Sequence, residues 1–153
     1  MKQKKSKVNN IRHSLSHIMA HSVKDIFKNV RFGIGPTIEN GFYYDFGLEK
    51  TLIPEDLLKI EKRMRELIKQ NIKFEKSFAT KEQAKKLFKN QPYKLDLLKE
   101  VQPPKVKRNI RRLNLQKLTI YKSGEFTDLC AGPHIKSTLQ LHSGQAKEVI
   151  DAF

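Results

Sequence analysis

The sequence predicts an α+β fold, in which an antiparallel sheet packs against a long N-terminal helix and further helices. Three observations lead there. Apolar residues recur at helical spacing from Ile11 to Asn29, and runs of β-branched and aromatic residues elsewhere are separated by turn-forming pairs. In addition, 153 residues suffice for one hydrophobic core but not for two substantial ones. The domain plan is a basic flexible arm at 1–9, one globular unit at 10–140 and a C-terminal tail at 141–153.

In the first helix Ile11, Leu15, Ile18, Met19, Val23, Ile26 and Phe27 make one stripe. His13 and His17 lie one turn apart on the other side, followed by His21, so they are expected to point off the core. RFGIGPTIENGFYYDF reads as strand, turn, strand, with Asn40-Gly41 supplying the positive φ angles of a tight hairpin. Pro54 opens a second helix to about Gln70, with Glu55 and Asp56 in its first turn and Leu57, Ile60, Met64, Leu67 and Ile68 as its stripe. Ile72 to Phe78 reads as a strand. Thr80 and Gln83 then form a capping box for a short helix through Phe88, which Asn90 and Pro92 stop. Leu95 to Glu100 suggests a helical turn and Val101 to Asn109 a loop. Leu113 to Tyr121 and Glu125 to Cys130 suggest a hairpin about Ser123-Gly124.

Thirty-one Lys and Arg residues against sixteen Asp and Glu give a formal charge of +15, a field that attracts polyanions such as nucleic acid. Lys2, Lys4, Lys5 and Lys7 form one cluster; Lys105, Lys107, Arg108, Arg111 and Arg112 form a second beyond Pro103-Pro104. A solvated lysine-rich face is the competing reading, and neither cluster carries base-specific information. No apolar run approaches membrane-spanning length and the start lacks a secretory apolar segment, so a cytoplasmic protein with no membrane partner is expected. A lone Cys130 excludes an internal disulfide and leaves the thiol for chemistry or burial.

Two short stretches carry the chemistry. HSLSH places two imidazoles at i and i+4, which can grip one ion or one substrate group from a rigid face. CAGPH places Cys130 and His134 at a strand end, with Pro133 stiffening the approach. If the two elements converge, zinc binding and hydrolysis are the leading explanations; solvated histidines and a buried small thiol are the alternatives.

The segments IRHSLSH, GIGPTIENGFYYDF, EKRMRELI, YKLDLL and FTDLCAGPH, in that order, resemble the editing domain of threonyl-tRNA synthetases, the second additional domain, which is also related to alanyl-tRNA editing proteins. The resemblance covers about residues 8 to 138, and HxxxH combined with NGFYYD and CxGPH makes it specific. It implies that residues 10–140 form that editing domain and hydrolyse the ester of mischarged Ser-tRNA(Thr), with the tRNA acceptor end as partner. It places catalytic positions on His13, His17, Cys130, His134, Lys94 and Asp128, with Tyr43 and Tyr44 lining the pocket. Under it Lys94 donates to the ribose or oxyanion and Asp128 binds the substrate ammonium. The threonyl family edits without a metal and the alanyl relatives bind zinc, so no cofactor is expected, and His13, His17, Cys130 and His134 are the ligand set if zinc binds. After His134 the pattern departs from the family: the Gly-Ala-Tyr-Trp-Arg-Gly segment is replaced and the chain has no Trp. There is no room for an ATP-dependent synthetase core, which suggests a separate threonyl-tRNA synthetase as a further partner. Two other readings stay open. One is a truncated threonine-tRNA ligase or non-catalytic tRNA-binding accessory module, the other a zinc-dependent hydrolase of small esters or amides.

Overall fold

The computed structural model describes residues 2–101 and 117–142, and all structural statements concern these. All but the first residue of the expected loop at 101–109, the second basic cluster at Lys105 to Arg112, residues 113–116 of the strand expected to run to Tyr121, and most of the tail lie outside them. The α+β expectation holds: helices surround short antiparallel ladders and one three-stranded sheet.

Helix α1 (Lys2–Ile26) packs against the second helix, the hairpin that follows it and the three-stranded sheet. It begins nine residues before the apolar stripe does, through the segment expected as an arm. Lys and Gln propagate a helix readily once a packed segment has nucleated it, and no apolar stripe is needed for that. From Ile11 to Val23 the helix is buried nearly all round, because Ser14, Ser16, His17, His21 and Ser22 are covered much as Leu15 and Ile18 are. The histidine face therefore does not look out to solvent, as a one-sided helix would have it. The serines make this affordable: the Ser14 hydroxyl donates to Asn10 O at 2.8 Å and that of Ser22 to Ile18 O at 2.9 Å, so small polar side chains enter the interior already satisfied.

A long irregular hairpin follows, made of β1 (Arg31–Phe32), β2 (Thr37–Ile38), β3 (Gly41–Phe42) and β4 (Phe46–Gly47). β1 pairs with β4 and β2 with β3, both antiparallel. The expected Asn40-Gly41 turn is displaced by one residue. Ile38 pairs with Gly41, so Glu39 and Asn40 form the turn, and Gly41 is not among the described residues with positive φ. Arg12 holds the Glu39 carbonyl at 2.6 Å, a contact with α1 that overrides the local preference for Asn-Gly.

Helix α2 (Pro54–Lys69) starts and ends within a residue of expectation, and buries Ile60, Leu67 and Ile68 against α1. Leu57, counted in its stripe, is exposed at the near end. Asn71, at φ 53°, turns the chain out of this helix in the left-handed conformation that asparagine tolerates. The sheet comprises β5 (Phe74–Ala79), β6 (Leu118–Ser123) and β7 (Phe126–Leu129), in the order β5-β6-β7. Gly124 and Glu125 close β6 onto β7, with Gly124 at φ +60°. Helix α3 (Lys81–Leu87) carries the expected reciprocal cap, Thr80 Oγ1 accepting from Gln83 N at 3.2 Å and Gln83 Oε1 accepting from Thr80 N at 2.8 Å. Pro92 does more than stop α3. It is the first residue of α4 (Pro92–Glu100), where its missing N–H costs nothing.

Candidate active site

The site forms where α1 meets the segment leaving β7. Hydrogen bonds stitch that segment to the helix: the Ile135 amide donates to Ser14 Oγ at 3.0 Å, and His13 Nδ1 donates to the Pro133 carbonyl at 3.1 Å. Gly132, at φ +74°, permits the turn between them, and a Cβ there would lie 2.5 Å from the Tyr121 hydroxyl. The two motifs, 117 residues apart from His13 to Cys130, thereby converge. Cys130 Sγ lies 3.3 Å from His13 Nε2 and 3.4 Å from His134 Nε2. The His13 and His134 rings stack at 4.1 Å between centroids, and His17 meets His134 edge-on at 4.3 Å.

The cluster opens on a cavity of about 620 Å³. His13, His17, Lys94, Asp128 and Cys130 line it, with Ser6, Asn9 and Asn10 of α1 on one wall and Ile34 to Thr37 of the hairpin on another. That size lies within the range of small-molecule sites. Ser16 sits against the second wall, its hydroxyl sharing one proton between His13 O at 2.7 Å and Gly35 O at 2.9 Å. His134 is not a lining residue: it sits behind Cys130, between Phe74 and Tyr121.

Lys94 and Asp128 form a buried ion pair at 2.5 Å, each side chain no more than 3% exposed. The Lys94 ammonium also meets Gly33 O at 2.5 Å and the Tyr44 hydroxyl at 3.3 Å, so donation to a substrate would require it to exchange a partner. Asp128 Oδ2 accepts from the Tyr44 hydroxyl at 2.7 Å and lies 3.5 Å from His17 Nε2. Of the two tyrosines expected to line the cavity, neither does. Tyr44 is buried beneath it, and Tyr43 is 42% exposed on the outer side of the hairpin. Both lie in the link between β3 and β4, where one side chain faces inward and the other outward.

Burial dominates the acid–base character. It lowers His13, lowers His17 well below 6.5 with help from His13 and Lys94, and takes His134 to about 2 with help from its histidine neighbours. The imidazoles are thus neutral at neutral pH. Burial also raises the Cys130 thiol to about 11, against a lowering by the Gly132 amide that donates to its sulfur, so the thiol keeps its proton. Tyr44 is pushed up far beyond its ordinary range, chiefly by burial and then by Asp128.

A measurable consequence is acid instability. Because the folded-state values of His17 and His134 lie below the unfolded value of 6.5, the unfolded chain binds more protons than the folded one below that pH. Stability should be level above pH 6.5 and fall below it, each histidine contributing a slope approaching about 1.4 kcal/mol per pH unit. Urea midpoints from pH 8 to 5 read this directly; a flat profile would mean that the rings are not buried neutral.

The four donor atoms of His13, His17, Cys130 and His134 lie within 4.8 Å of one another. The two sulfur–nitrogen separations match the edge of a tetrahedral zinc site, about 3.5 Å for ordinary bond lengths. The donor set therefore fits zinc. Ser14, at the centre of the stitch to Ile135 and His134, is a residue that sequence reasoning missed; its position between two motif histidines, at a helical step that would be buried, was the available signal.

Among the described residues no helix is long and apolar enough to cross a membrane. No family model matches the chain. It is similar to threonine-tRNA ligases: 49% identical over 130 residues to that of Thermotoga petrophila, covering 83% of this chain and 18% of the relative. To the enzyme of Dehalococcoides mccartyi it is 43% identical over 143 residues, 94% and 22% of the two lengths, and to that of Staphylococcus aureus 39% over 131 residues, 86% and 19%. The chain thus spans about a fifth of the length of the relatives it matches.

Proposed function

The chain belongs to the threonine-tRNA ligase family, matching a domain-sized part of it, and on that premise we propose that it is an aminoacyl-tRNA deacylase acting on serine esterified to threonine tRNA. One observation carries this reading: HxxxH and CxGPH, distant in the chain, converge beside one open cavity that the neutral His13 and His17 imidazoles line. An aminoacyl ester is reactive already, so the site need only place water, accept its proton and stabilise the developing oxyanion.

His13 is the base. Its Nδ1–H is committed to the Pro133 carbonyl, which leaves Nε2, 3.3 Å from Cys130 Sγ, as its unprotonated nitrogen, and it is the lining imidazole that burial covers less. Water attacks the ester carbonyl, His13 Nε2 takes the water proton, the carbon–oxygen bond to the ribose breaks, and the ribose oxygen leaves with that proton. His17 and the buried Lys94–Asp128–Tyr44 unit hold the floor on which the aminoacyl group rests. A synthetic site that accepts threonine discriminates against serine by only about 1–3 kcal/mol for one methyl, which is why a second, size-excluding hydrolytic site is useful. The basic surface suits the phosphates of an acceptor end.

The reaction we propose uses no metal. Four protein ligands would saturate zinc and leave no position for water. Bound zinc would supply a Lewis acid only if one ligand stood aside, with His13, His17, Cys130 and His134 as its holders. The test is the chain incubated with seryl- and threonyl-tRNA, before and after chelation. Preferential release of serine, unaffected by chelation, supports the proposal. Loss of activity on chelation favours the zinc hydrolase, and binding of tRNA without release favours an accessory module.

A further inference from the structure

The Ser14 hydroxyl is fully buried and has three polar neighbours: Asn10 O at 2.8 Å, Ile135 N at 3.0 Å and His134 Nδ1 at 3.1 Å. It has one proton to give. A carbonyl oxygen only accepts and the Ile135 amide only donates. At 2.8 Å, a hydroxyl turned away from Asn10 O would leave two oxygen lone pairs in repulsive contact. The proton therefore points at Asn10 O, and the two lone pairs of Ser14 receive the Ile135 amide and the His134 ring.

We propose that Ser14 is a positioning residue that fixes His134 as its Nδ1–H tautomer and so keeps Nε2 bare toward Cys130. The consequence reaches His13. Its Nδ1–H is bound to the Pro133 carbonyl, so two bare Nε2 atoms face a sulfur that carries a single proton. A bare His134 Nε2 gives the thiol proton an acceptor other than His13, so His13 can keep its lone pair for water. Were His134 to flip to the Nε2–H tautomer, it would donate to the sulfur, and the thiol proton would turn to His13 and occupy the base. The tautomer assignment stands on geometry alone; its catalytic consequence rests on the deacylase reading above.

The experiment is nitrogen-15 NMR of the histidine rings at neutral pH, His134 being assigned through the His134→Asn variant. In the unmodified chain, His134 is expected with Nδ1 protonated and Nε2 bare. An Nε2–H or doubly protonated ring overturns the proposal, whether or not any variant folds. In Ser14→Ala, the ring should shift toward Nε2–H, and kcat for seryl-tRNA should fall about 10- to 100-fold with KM little changed, the range known for loss of an orienting partner. A change in KM alone would count against a positioning role. The outcomes separate the two readings. An Nδ1–H ring in a chain that never releases serine refutes the deacylase and keeps the assignment, whereas rapid release with an Nε2–H ring does the reverse.

Discussion

Replacing Asp128 by Ala should destabilise the chain by about 3–5 kcal/mol, the cost of leaving one member of a buried ion pair without its partner. The Lys94 ammonium would keep only the Gly33 carbonyl and the Tyr44 hydroxyl, both neutral, in a pocket where its side chain is 2% exposed. The Tyr44 hydroxyl would lose its acceptor at the same time, and His17 its carboxylate neighbour. Lys94→Met alone should be similarly damaging, because it strands the carboxylate. The pair is better tested as a cycle of the unmodified chain, Lys94→Met, Asp128→Asn and the double variant: the double removes both charges while keeping an acceptor for Tyr44, and should cost much less than the Lys94→Met and Asp128→Asn changes added together. Urea unfolding measures all four proteins. Additive effects would mean that the two charges act independently, contrary to their 2.5 Å contact.

The parts of the fold legible in the sequence are those where local chemistry and tertiary packing agree. Pro54 with its acidic first turn, Thr80 with Gln83, and Gly124 each meet a backbone requirement that no neighbour contests. The convergence of His13, His17, Cys130 and His134 was legible only through the family resemblance, since the spacing of the two motifs left it open. Three features were not legible. The hairpin register depended on Arg12 reaching Glu39, a contact between residues 27 apart. The burial of His17 depended on what covers the polar side of α1, and an apolar stripe says only which side is covered by hydrophobic partners. The commitments of Lys94 depended on the Gly33 carbonyl and Tyr44, both brought in by the hairpin. These are long-range facts, which periodicity cannot encode.

On the proposed deacylase reading, His13→Ala should reduce kcat for seryl-tRNA hydrolysis by about 10²–10⁴-fold, the usual worth of a positioned general base. The variant should still fold, since His13 is half-buried and its one fixed hydrogen bond is to a carbonyl on a segment also held by the Ile135 amide. The control is Cys130→Ser. Because burial raises the thiol to about 11, the sulfur is protonated at neutral pH and is a poor nucleophile. Its replacement by a hydroxyl, which can also donate to His134, should cost far less than loss of His13. The ordering of the two rates discriminates between mechanisms: a direct attack by water puts His13→Ala lowest, whereas a covalent thioester route puts Cys130→Ser lowest and lets seryl enzyme accumulate in a rapid quench. Single-turnover hydrolysis measured for both variants, with equal tRNA binding as the check on folding, decides whether the sulfur serves the base or replaces it.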